Sequence, residues 1–130
     1  MFNIGHVAIS VSNMNNSVNF YKKFGFVDFK NYKDENLEIT MLKLNDMILE
    51  LFCYNQFDKI PEHSKELSTD LKTIGTKHFA LSVDSIEEGK RFIIENNIKD
   101  NVEVLKGRLG KSYFFIKDPD GILVEIIERD

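Results

Sequence analysis

Four residues of this chain have the types and spacing of a divalent-metal site: His6, Glu50, His78 and Glu125. The two histidines open closely matched strings, His6-Val7-Ala8-Ile9-Ser10-Val11 and His78-Phe79-Ala80-Leu81-Ser82-Val83, at an offset of 72 residues. The two glutamates interrupt matched apolar runs, Met47-Ile48-Leu49-Glu50-Leu51-Phe52 and Ile122-Leu123-Val124-Glu125-Ile126-Ile127, at an offset of 75. An ionised carboxylate inside such a run is costly unless it is paired or binds a cation. Imidazole nitrogen with carboxylate oxygen suits a borderline divalent ion, Ni, Zn or Co first, with Fe or Mn also in range. Four protein ligands on an octahedral ion leave two positions for water or substrate, the condition for a catalytic metal.

Taken singly, these residues have plainer readings. A histidine at a strand start is usually a hydrogen-bonded structural residue, and a strand glutamate usually faces water or pairs with a lysine. His63 is given that plainer reading and no role. Cys53 falls opposite Glu50 by strand alternation and reads as core, as do the Phe-rich stretches. The repeat favours a metal, because it sets His and Glu twice at matched positions on matched strands.

The elements that must position these residues follow from periodicity. Alternating residues predict a strand over 4–11, and a helix follows over 13–24 with Met14, Val18 and Tyr21 on one stripe and Gly25 as its stop. Ser12, and Asp84 with Glu87, are the expected N-caps of the two helices. Strands are predicted over 26–32, 37–44 and 47–53, then a polar linker with Pro61 and Gly75. The second half repeats the order: strand 78–83, helix 85–96, strands 101–106, 112–117 and 122–128. Asp118-Pro119-Asp120-Gly121 marks the turn between the last two strands. The expectation is one α+β domain over 1–130 made of two βαβββ modules, 1–54 and 77–130, joined by linker 55–76. In each first strand the apolar face should pack on its own helix. The His-Ala-Ser face then carries small side chains that leave space.

Composition narrows the function classes. Hydrophobic residues are 42% and charged residues 29%, the mix of a globular protein. The net charge is −4 with scattered lysines, which is no nucleic-acid footprint. No apolar run approaches the roughly 20 residues of a membrane span. A single cysteine and an N-terminus without a basic, apolar leader place the expectation in the cytoplasm, without internal disulfides.

The strings Gly5–Val11, Ile48–Phe52, Lys77–Val83 and Asp118–Glu128 together resemble the vicinal oxygen chelate superfamily of glyoxalases, bleomycin-resistance proteins and extradiol dioxygenases. That resemblance implies paired βαβββ modules whose mixed sheet curls around a metal cup, with His6, Glu50, His78 and Glu125 as ligands. Extradiol dioxygenases and fosfomycin-modifying thiol transferases use three ligands, and bleomycin-binding members lack them. All four, as here, resemble small bacterial glyoxalase I-like proteins. The implied reaction is isomerisation of a hemithioacetal formed from a 2-oxoaldehyde such as methylglyoxal and a low-molecular-weight thiol. Glu50 or Glu125 would move the proton, and a homodimer is implied. The alternatives are another metal-dependent activity on the same scaffold, or non-enzymatic binding of a drug or metabolite. Glyoxalase I enzymes usually hold glutathione carboxylates with basic residues. Of Arg91, Arg108 and Arg129, the best candidate for an anion contact is Arg108, on the 107–110 turn, where a solvated hairpin tip is the plainer reading.

Overall fold

Alternation of apolar with small residues produces the first strand, β1 (Val7–Ser10), in which Val7 and Ile9 are half-buried and Ala8 and Ser10 are exposed. Helix α1 (Met14–Lys22) follows and buries Met14, Ser17, Phe20 and Tyr21. Strands β2 (Val27–Lys33), β3 (Leu37–Leu44) and β4 (Met47–Tyr54) complete a sheet of order β1-β4-β3-β2, with β1 parallel to β4 and the rest antiparallel. The computed structural model describes residues 1–130 and divides into two compact units, Met1–Lys59 and Ile60–Asp130.

The second unit repeats this order. It holds β5 (Phe79–Val83), α3 (Ile86–Glu95), β6 (Leu105–Lys106), β7 (Ser112–Lys117) and β8 (Leu123–Glu128), in a sheet of order β5-β8-β7-β6. Its pairing matches the first sheet: β5 runs parallel to β8 and β7 antiparallel to it. In each sheet the last strand carries the buried layer, Leu49 and Leu51 at 0% exposure and Val124 and Ile126 at 0% and 2%. Helix α3 comes close to its sheet at Gly89, where an added Cβ would lie 3.3 Å from Val83 Cγ2.

Five sequence expectations need correction. The first strand is shorter than 4–11, because its pairing with β4 begins at Val7 and Ile4 is fully exposed. Strand 101–106 shrinks to two paired residues, since Val102 is buried as an isolated anchor rather than alternating along a ladder. Both N-caps sit one residue later than expected. Asn13 Oδ1 accepts from Asn16 N (3.0 Å) and Ser85 Oγ from Glu88 N (3.4 Å). Asp84 instead pairs with Arg129 Nε at 2.5 Å, while Glu128 Oε2 accepts from Ile86 N at the start of α3. The stretch 55–76 is not a bare linker: a 3-10 turn at Glu62–Ser64 and a short helix, α2 (Leu67–Asp70), order it. Cys53 is half-buried rather than core.

Candidate metal centre

The register of each parallel pair places its histidine and glutamate. Ala8 is the partner of Glu50, and Ala80 is the partner of Glu125. His6 and His78 each stand one residue ahead of their strands, on the same face as those alanines. The exposed Ala8 and Ala80 leave room beside each carboxylate. Met41 on β3 faces Glu50, and Phe115 on β7 faces Glu125. Met41 and Phe115 are 74 residues apart, so the three extra residues of the second module are split. Two precede β7 and one lies in the β7–β8 hairpin.

In the first unit His6 Nε2 lies 3.2 Å from Glu50 Oε1, with the two side chains 46% and 14% exposed. Two adjacent ligands on an octahedral ion at bond lengths of about 2.1 Å stand roughly 3 Å apart, so this pair has the separation of neighbouring ligands. Protonated His6 would also pair with the carboxylate directly.

In the second unit His78 and Glu125 line one cavity of about 490 Å³ together with Tyr113, Phe115, Arg108 and Lys111. The His78 ring meets Phe115 edge to face at 4.8 Å between centroids. His78 Nδ1 is buried without a hydrogen-bond partner. An orphaned buried polar atom is rare in folded proteins and calls for an explanation. Glu125 is half-buried and joins no ion pair, although two of the cavity's other residues are basic. Lys111 is tied to Asp130, whereas Arg108 has no acidic partner.

The sequence-predicted residues thus fall into two pairs, one in each unit, and neither unit alone gathers three His, Cys, Asp or Glu side chains. The donor types and the spacing of the first pair fit a divalent cation, as does the orphaned imidazole nitrogen of the second. Sequence reasoning missed Phe115 by assigning the aromatic stretches to the core. Phe114 and Ile116 are buried there, but Phe115 alternates onto the cavity face. It also missed Leu67 and Leu71, cavity residues from the connecting segment, for which the sequence carries no signal. The hairpin tip with Arg108 is exposed, yet Arg108 lines the cavity.

The fold defines a class. The chain belongs to the Glyoxalase/Bleomycin resistance protein/Dioxygenase superfamily, whose family model matches residues 3–126. A glyoxalase family protein from Enterococcus faecalis is 34% identical over 97% of each chain, with a TM-score of 0.81. Lactoylglutathione lyase from Agrobacterium tumefaciens shares the fold at 22% identity, TM-score 0.66, over 97% of this chain and 92% of that one. A bleomycin-binding protein complexed with bleomycin does so at 18% identity, TM-score 0.66, over 99% of this chain and 100% of that one. A search among curated proteins finds no match. No helix is long and apolar enough to cross a membrane.

Proposed function

We propose that the protein is a metal-dependent lyase or isomerase of glyoxalase I type, acting on the hemithioacetal of a 2-oxoaldehyde and a low-molecular-weight thiol. The reading rests on one observation: two His–Glu pairs are set by the same strand register, Ala8 opposite Glu50 and Ala80 opposite Glu125. His6 with Glu50, and His78 with Glu125, would supply the ligands of a divalent ion, with Ni, Zn or Co preferred by the mixed nitrogen and oxygen donors. Such an ion supplies Lewis-acid stabilisation of the charge that develops on the substrate's two vicinal oxygens.

The chain's own groups do the rest. A carboxylate, Glu50 or Glu125, takes the proton from the carbon bearing sulfur and returns it to the neighbouring carbon. The hemithioacetal hydroxyl proton passes to the former carbonyl oxygen, so that the former carbonyl becomes a secondary alcohol and the sulfur-bearing carbon a thioester carbonyl, and the isomerisation needs no outside oxidant or reductant. Phe115 and Ile127 supply the apolar wall that limits water at the reacting carbons. Arg108, without an acidic partner, is the group that would meet an anionic end of the thiol. Glu50 favours this reaction over dioxygenase or thiol-transferase chemistry, because a fourth protein ligand, the second carboxylate of the set, would crowd the open face of the ion. The working form is a homodimer in the cytoplasm. The exposed Phe2, Ile4, Val27 and Phe29 give it apolar surface to bury, and sedimentation tests it.

The decisive experiment measures turnover of methylglyoxal with glutathione and with other small thiols, using nickel- and zinc-loaded protein. Thioester formation that chelation abolishes and metal restores is expected. No turnover with any thiol in a metallated sample would overturn the reading. Ligand binding that survives both chelation and loss of His6 would instead mark a non-enzymatic binding protein.

A further inference from the structure

We propose that Asp70 and Lys77, in the segment leading into β5, are positioning residues for His78. The inference rests on the reading of His78 as a ligand. Asp70 is 4% exposed, a buried acid that no part of the reaction uses. Lys77 Nζ donates to Asp70 O at 2.6 Å, stands 3.4 Å from Asp70 Oδ1 and also donates to Thr73 O. Ser64 Oγ adds a hydrogen bond to Asp70 Oδ1 at 3.1 Å. All three ammonium protons of Lys77 are therefore engaged, and its side chain is only 20% exposed.

The placement of this latch gives it a consequence for the site. Lys77 is the residue immediately before His78, and the paired register of β5 begins one residue later, at Phe79. The ladder thus leaves the backbone of residue 78 to be fixed by its neighbours, of which Lys77 is the anchored one. On the imidazole side the one ring contact is Phe115. Asp70 ends α2, whose Leu67 lines the same cavity as His78, as does Leu71 just beyond. A single buried ion pair therefore sets one wall of the cavity and the approach of the imidazole to it. Groups that orient a ligand in this way govern affinity without touching the ion.

The test uses the full chain carrying Lys77→Met or Asp70→Asn, with two readouts at one pH. In metal-free protein, NMR follows the nuclear Overhauser contacts between the His78 and Phe115 rings, with the His6 ring signals as internal control. Zinc affinity is measured by competition with a chromophoric chelator. Lys77→Met should weaken the His78–Phe115 contacts, leave His6 signals in place and raise the zinc Kd by about 10- to 100-fold, with Asp70→Asn between it and the native chain. A lowered melting temperature with unchanged His78–Phe115 contacts and a zinc Kd within about twofold of native would reduce the latch to a structural strut and overturn the proposal. If Lys77→Met does not fold, Asp70→Asn decides. If the native protein binds no zinc, the metal reading falls, while the ring contacts still decide the latch.

Discussion

His6 Nε2 and Glu50 Oε1 stand 3.2 Å apart because β1 and β4 run parallel with Ala8 opposite Glu50. The imidazole is nearly half exposed and has no ladder to maintain, so its removal should barely touch the fold. His6→Ala is expected to change unfolding free energy by less than about 0.5 kcal/mol, as for other exposed substitutions. Its zinc or nickel affinity should fall by more than the roughly 10- to 100-fold lost when an outer partner of a ligand is removed. Parallel thermal melts and metal competition check both halves. A structural histidine would show the reverse pattern.

Glu125 gives the opposite signature. It sits between the buried Val124 and Ile126 and joins no ion pair. A carboxylate kept there for chemistry is a stability liability that leucine would remove. Glu125→Leu should raise the melting temperature by about 3–5 °C, equivalent to about 1 kcal/mol, while abolishing turnover and metal retention. A scan of the apo protein by calorimetry measures the shift. A melting temperature lower than native would show that the carboxylate serves the fold.

The strands that carry the two His–Glu pairs were legible in the sequence because they are duplicated. Matching HVAISV to HFALSV and Glu50 to Glu125 fixes strand, face and register together, and β3 and β7 emerge at the expected 37–44 and 112–117. Non-repeated features were not legible. The order within 55–76 comes from Asp70, Ser64 and Lys77 meeting through space, and no local periodicity announces it. The N-caps were misplaced by one residue because Ser12 and Asn13, like Asp84 and Ser85, are adjacent capping types. Only the paths of the following helices choose between them. Strand 101–106 failed because Val102 and Val104 mimic alternation, whereas pairing with β7 is limited to Leu105 and Lys106.

Arg108 offers a third measurement. It is exposed on the hairpin between β6 and β7, lacks an acidic partner and lines the cavity with His78 and Glu125. Arg108→Gln should leave the melting temperature unchanged. With an anionic thiol its KM should rise roughly three- to tenfold at constant kcat, a charge-assisted contact weakened by solvent exposure. With a neutral thiol no change is expected, and an equal rise for both thiols would refute an anion contact. Steady-state kinetics on the two thiols at low ionic strength reads this directly.

The hairpin between β2 and β3 carries a pH dependence of its own. Asp34 Oδ1 accepts from Asn36 N at 2.8 Å and Leu37 N at 3.1 Å, and Asp34 Oδ2 accepts from the Tyr32 hydroxyl at 2.9 Å. These bonds favour the carboxylate, the Asn36 N–H most of all, and hold Asp34 below its ordinary value of 3.8. The same contact, through the hydrogen bond first and the charge second, holds the Tyr32 phenol above 10.0. A depressed acid stabilises the turn fully above its unfolded value and loses that contribution as pH falls through the lowered folded one. The amide signals of Asn36 and Leu37 should therefore titrate together with a midpoint below 3.8, and Asp34→Asn should flatten both curves. In the same variant, ultraviolet titration should return Tyr32 toward its ordinary range. A midpoint at or above the ordinary aspartate value would mean that the turn is not held by this carboxylate.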